Sequence, residues 1–250
     1  MAVIQTKALI LRHTTDREHD RMLTMLIPSK GQLRVRARGT KKSVSKLGGS
    51  LEPLMEVDLT LADGRVTDLV TGSVILDRFA TLRKDIITMT MAQWLLELVE
   101  SITKPDQPAE ELYINVIEML HAMQQEILWP VGRQWLALCR RALDLLIHEG
   151  FAPTMGVCSV CHRPLNGNDV SYHPQQGFVH TKEAHDGAYA LSTATMHFFR
   201  TGEIGTDERA TFRQAHDLIE RLIHHTLDRP LKSENVLRSV ARIMRLPKKA

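Results

Sequence analysis

Residues 1–78 contain no Phe, Tyr or Trp. Proteins that grip single strands by their bases stack them on aromatic rings. That mode is therefore excluded from the first third of the chain, apart from weak help from His13 or His19. Cysteine is scarce: there are three in 250 residues, and two of them form a CxxC. An odd and small number excludes a disulfide framework and, in a reducing compartment, points to metal or redox chemistry. No stretch approaches the ~20 consecutive apolar residues of a membrane helix. The opening residues, Met1 to Lys7, lack a charged segment followed by an apolar one, so no secretory signal and a cytoplasmic location are expected. There is no P-loop, no G-x-S-x-G, no dinucleotide fingerprint and no cluster of carboxylates for metal-assisted phosphoryl transfer. These absences argue against an enzyme.

Charge is unevenly placed. Residues 1–80 hold 13 Lys+Arg against 9 Asp+Glu, and residues 81–250 hold 19 against 20. The whole positive excess lies in the N-terminal third, as expected for a segment that meets a polyanion.

The N-terminal third reads as five short strands. Residues 3–12 and 21–28 are rich in Val, Ile, Leu and Met. Residues 32–38 alternate Leu33, Val35 and Ala37 with Arg34, Arg36 and Arg38, a period of two that marks a half-buried strand. Residues 55–61 alternate again, and 67–76 supply a fifth strand. Five strands without a helical pattern predict a small closed barrel of the OB type. Residues two apart on a strand share a face at ~6.6–6.8 Å, close to the phosphate spacing of an extended single strand. Arg34, Arg36 and Arg38 thus form a cationic stripe. Residues 39–50 add Lys41, Lys42 and Lys46 and contain no acid. Guanidinium groups suit phosphate oxygens, and such contacts bind nucleic acid independently of base sequence. The competing reading is an edge strand protected by its charge. With no aromatics to stack on, the bases would be left free to pair, which predicts strand annealing.

Beyond Phe79 the period becomes helical. Helices are expected at 84–102, 109–125, 130–150, 192–201, 207–226 and 234–245, with Ser233 capping the last. Cys139 reads as a small buried hydrophobe. His216, His224 and His225 read as a solvated face. Residues 153–190 form an insert of little regular pattern carrying Cys158, Cys161, His180 and His185. Their layout, C-x2-C-x18-H-x4-H, suits a tetrahedral structural Zn2+ with no open position. His162 and His173 are competing ligands. The fold class is therefore α+β: an OB-fold barrel at 1–80, then an α-helical domain at 81–250 with a zinc-finger-like insert at 153–190. An RNA-binding OB module and a zinc-containing nucleic-acid-processing enzyme are the other classes open to such a chain.

Several strings resemble the RecO family of recombination mediators. They are Arg38-Gly39-Thr40-Lys41-Lys42, Ser45 through Pro53, Leu146 through Pro153 followed by Cys158-x-x-Cys161, and Arg229-Pro230-Leu231-Lys232-Ser233. They occur in family order along nearly the whole chain. The resemblance implies DNA repair in the nucleoid: binding single- and double-stranded DNA, annealing, and loading RecA with RecR onto DNA coated by single-strand-binding protein. Many zinc-bearing relatives have a second Cys pair where this chain has His180 and His185. The resemblance also implies that residues 139–151 receive the acidic tail of single-strand-binding protein, with Arg140 and Arg141 at its carboxylate and Leu145 and Leu146 beside its apolar side chain.

Overall fold

A computed structural model describes residues 3–41, 45, 47–64, 67–165, 169–205, 207–236 and 239. Five strands come first: β1 (Val3–Thr15), β2 (Arg21–Ile27), β3 (Gly31–Ala37), β4 (Glu56–Ala62) and β5 (Leu69–Asp77). They close into a barrel in the order β1-β2-β3-β5-β4. The β1–β2, β2–β3, β1–β4 and β4–β5 pairs are antiparallel, whereas β3 meets β5 in parallel at Arg36 and Leu69. The core follows from the period of two. Ala8, Ile10, Leu23, Met25, Ile27, Val35, Ala37, Val57, Leu59 and Leu61 point inward. Leu9 and Leu26 lie on the opposite face of their strands and are also fully buried. They are covered because helix α1 (Ile86–Ile102) packs on β1 and β2.

Asp85 caps α1 by accepting the N–H groups of Ile87 and Thr88 at 2.9 and 3.0 Å. Helix α2 (Glu110–Gln125) is tied to the barrel by Tyr113, whose hydroxyl donates to Glu56 at 2.8 Å. The α1–α2 link presses on the start of β3. Gly31 has φ +65°, and a Cβ there would lie 2.5 Å from the Gln107 carbonyl oxygen. Only glycine meets both demands.

Two compact units emerge: Met1–Ile127 with Leu231–Ala250, and Leu128–Pro230. The first therefore holds α1 and α2 as well as the barrel, whereas composition changes at residue 80. The return segment is fastened by Glu97 of α1. Its carboxylate accepts the N–H groups of Lys232 and Ser233 at 2.9 and 2.8 Å and the Ser233 hydroxyl at 2.6 Å. The terminal helix begins at Lys232, and Ser233 is a donor to this borrowed cap instead of the cap itself. Most of the helix expected at 234–245 lies outside the described residues.

The second unit contains α3 (Val131–His148), α4 (Thr193–Thr201) and α5 (Glu208–Leu227). Its insert is more regular than the sequence pattern implies. Strands β6 (Val170–His173), β7 (Gly177–His180) and β8 (Tyr189–Leu191) make a sheet in the order β7-β6-β8. Three- and four-residue strands are too short to reveal a period. Tyr172 and Phe178 pack at 5.2 Å beneath that sheet, and burial pushes the Tyr172 phenol up to about 12. Among the described residues no helix is long and apolar enough to cross a membrane.

Candidate nucleic-acid interface and metal centre

Strand β3 carries the cationic stripe. Val35 and Ala37 are fully buried, so Arg34 and Arg36 project from the outer face of the barrel. Arg38 is one residue past the strand, at the start of the turn 38–41 in which Gly39 has φ +65°. Its direction is set by that turn and not by strand alternation. Arg34 and Arg38 are exposed, and their side chains make no hydrogen bond or ion pair with a described residue. Arg36 differs. Its Nε donates to the Asp16 carboxylate at 2.5 Å, and both side chains are 22% exposed. Its backbone N–H donates to the Asp68 carbonyl at 2.9 Å, at the seam where β3 meets β5. Lys41 donates its ammonium to the Thr15 hydroxyl at 2.9 Å. Lys42 and Lys46 lie outside the described residues.

The turn bearing Arg38 and Lys41 is held by the β1–β2 loop. The Gly39 N–H donates to the Asp20 carboxylate at 2.9 Å, and the Lys41 N–H to the His19 carbonyl at 3.2 Å. The loop closes on itself through backbone bonds from Asp16 to Asp20 and from Asp20 to Arg17. No local pattern relates residue 16 to residue 36, so sequence reading missed Asp16. Nearby cations are also matched: Arg21 to Glu52 at 2.7 Å, and Arg12 to Glu100 at 2.6 Å. Burial, then the charge of Arg21, lower the His13 imidazole from its ordinary value and disfavour its charged form.

In the insert, donor atoms of Cys158, Cys161, His180 and Glu183 all lie within 4.8 Å of one another. Cys158 Sγ is 3.1 Å from Glu183 Oε2, Cys161 Sγ is 3.4 Å from His180 Nδ1, and His180 Nδ1 is 3.7 Å from Glu183. Around a tetrahedral zinc with bonds of about 2.0–2.3 Å, donors sit roughly 3.3–3.8 Å apart. The donor set suits that ion, and the Cys161–His180 and His180–Glu183 distances fall within that range, with Cys158–Glu183 slightly shorter. His185, expected as the fourth donor, is not in this group. The 3-10 turn Thr181–Glu183 brings Glu183 back over His180, while the His185 ring lies against His173 at 5.5 Å. His162 is exposed in the turn after Cys161, with φ +58°, and is also outside the group.

Burial opposes ionisation of Cys158. N–H bonds from Cys161, His180 and Val160 outweigh it and hold the thiol below its ordinary range. Cys161 moves the other way. The Arg163 N–H favours its thiolate, but Glu183, burial and Cys158 together oppose it. Of the two thiols, Cys158 is therefore the one whose thiolate the surroundings favour. Cys139 is fully buried, and burial alone pushes its thiol up, which leaves it inert.

On α3 the two leucines expected beside an acidic tail face inward. Leu145 is 1% exposed and Leu146 is fully buried, so neither offers an apolar contact to a partner. Arg140 donates Nε to the Phe199 carbonyl at 3.2 Å, closing the C-terminal end of α4. A Cβ at Gly202 would lie 2.5 Å from its guanidinium. Arg141 is half-buried on the same helix. The helical register that set these four residues together cannot tell an outward face from one covered by other helices.

A closed barrel with a cationic outer strand, joined to helices and a thiol-bearing knuckle, defines a two-unit α+β protein. Family comparison is specific. Residues 1–79 match the model for Recombination protein O N terminal, and residues 83–235 that for Recombination protein O C terminal. The chain belongs to the Recombination protein O, or RecO, family. A Dehalococcoides mccartyi protein named DNA repair protein RecO is 31% identical over 175 residues, covering 70% of this chain and 67% of the relative. Its namesake in Bifidobacterium adolescentis is 28% identical over 253 residues, covering 95% and 100%. One in a Synechococcus strain is 28% identical over 247 residues, covering 89% and 84%.

Proposed function

We propose that the chain is a DNA-binding recombination mediator in DNA repair, and not an enzyme. The observation that carries this reading, given the family, is the pair of exposed cations, Arg34 on the outer face of β3 and Arg38 in the turn after it, that flank Arg36 in sequence and have no counter-ion among the described residues. The strand order of the barrel supports an OB-fold. Single- and double-stranded DNA bind through the phosphate backbone, with Lys41, Lys42 and Lys46 extending the cationic track. Because residues 1–78 carry no aromatic ring, bound bases stay exposed and complementary strands can pair. Annealing, and loading of RecA with RecR onto DNA coated by single-strand-binding protein, follow as the cytoplasmic, nucleoid-associated role.

The insert is a structural zinc knuckle in this reading, with Cys158, Cys161, His180 and Glu183 as ligands. Their mutual spacing supports it. Bound zinc would pin the two strand ends and the CxxC turn together. Four protein donors leave no position for catalysis.

Oligonucleotide binding by wild type and Arg34→Ala/Arg38→Ala across a salt series tests the interface. Two lost phosphate contacts lower the slope of log K against log salt by about 1.4, which is about 25-fold in affinity at 0.1 M salt. A double variant that binds at full strength with an unchanged slope refutes it.

A further inference from the structure

The stripe that the sequence presents as three equal arginines is interrupted in the folded chain. We propose that Asp16 is a built-in competitor for phosphate: it occupies the Arg36 guanidinium and must be displaced for the backbone of a bound strand to run unbroken from Arg34 to Arg38. This rests on the nucleic-acid reading of β3 and adds an affinity-setting residue to it.

The geometry has three parts. Asp16 meets Arg36 at 2.5 Å, and both side chains are mostly covered, so solvent screens the pair less than an open surface pair. Asp16 is also presented, not wandering. The loop it begins is closed by its own N–H to the Asp20 carbonyl at 3.2 Å and by the Asp20 N–H to the Arg17 carbonyl at 3.3 Å. The far end of that loop grips the turn after β3 through Asp20 to Gly39 and His19 to Lys41. Finally, the flanking cations Arg34 and Arg38 have no such counter-ion among the described residues.

A carboxylate and a phosphate oxygen are alike to a guanidinium, each an anionic fork. The Arg36 position is therefore filled in the free protein by an intramolecular mimic of the phosphate. A single anion gains little by replacing it. A strand already held at Arg34 and Arg38 brings its middle phosphate to Arg36 at high effective concentration and can displace Asp16. The clamp thus selects polyanions over small anions. It also lowers affinity, which favours release of a paired product.

The test uses the full-length chain and a fluorescent single-stranded oligonucleotide. In the wild type the displaced Asp16 carboxylate takes back the cation that the phosphate at Arg36 releases; Asp16→Asn has no such carboxylate, so its salt slope steepens by about 0.7 and binding tightens about fivefold at 0.1 M salt. Glu18→Gln makes the same change in net charge in the same loop, at an exposed residue with no partner among the described residues, and leaves the slope unchanged. Asp16→Glu retains the pair and wild-type binding. If Asp16→Asn melts below wild type, Asp16→Ser, with a short side chain that still serves a turn, gives the same reading. Glu18→Gln matching Asp16→Asn would reduce the effect to net charge and overturn the proposal. So would unchanged binding by Asp16→Asn. If Arg34→Ala/Arg38→Ala loses affinity in that same set, only the competitor fails. If it does not, the interface itself fails.

Discussion

Replacing Glu97 by Ala should free the segment that begins at Leu231 from the barrel-bearing unit. The Glu97 carboxylate takes three donors, the N–H groups of Lys232 and Ser233 and the Ser233 hydroxyl, at 2.6–2.9 Å. It acts as the N-cap of the terminal helix, although it sits on α1. Loss of a cap costs about 1–2 kcal/mol, and loss of the hydroxyl bond about 0.5–1 kcal/mol more. The total of about 1.5–3 kcal/mol lowers hydrogen-exchange protection at Ser233 by roughly 13- to 150-fold. Native-state exchange read by mass spectrometry on the peptide spanning 228–236 gives that number directly. Glu100→Ala is the matched control on the same helix. It removes only the Arg12 pair, whose arginine side chain is 48% exposed, worth under about 1 kcal/mol. Equal protection of Ser233 in Glu97→Ala and wild type would mean that Leu231, fully buried, holds the segment alone and that the cap argument is wrong.

Two further predictions concern the second unit. Tyr172 has its phenol raised by burial to about 12, above an unfolded value near 10. Its contribution is complete below about pH 10 and is lost as pH climbs towards about 12, at ~1.4 kcal/mol per unit and up to about 3 kcal/mol in all. Thermal melts from pH 9 to 11 should show that decline in wild type, and Tyr172→Phe should remove the part due to this residue. An unchanged alkaline limb would contradict the assignment. For the metal centre, elemental analysis should find one zinc per chain. Chelator competition should rank Cys161→Ser, His180→Ala and Glu183→Ala below wild type by more than the roughly 10- to 100-fold that an outer-shell change costs, with His185→Ala unaffected. His185→Ala behaving like Glu183→Ala would return His185 to the ligand set.

The sequence by itself determined what depends on short-range periodicity and on composition. Alternation at Leu33–Arg38 marks β3 because side chains on a strand change face at each residue. The i, i+3, i+4 pattern marks α1 through α5 because 3.6 residues make a turn. The strings around residues 38–53, 146–161 and 229–233 identified the family, and the family models agree. Tertiary structure decided everything that turns on a pairing across distance. Asp16 meets Arg36 only because the barrel closes, and Glu97 caps residue 233 only because the chain returns. A single 3-10 turn brings Glu183, and not His185, beside Cys158, Cys161 and His180, and Leu145 is inside because α3 is covered on that face. In each case local sequence fixes which side chains share a face. Which faces meet, and so which charges are free and which are already answered, is set by packing between segments that no local period connects.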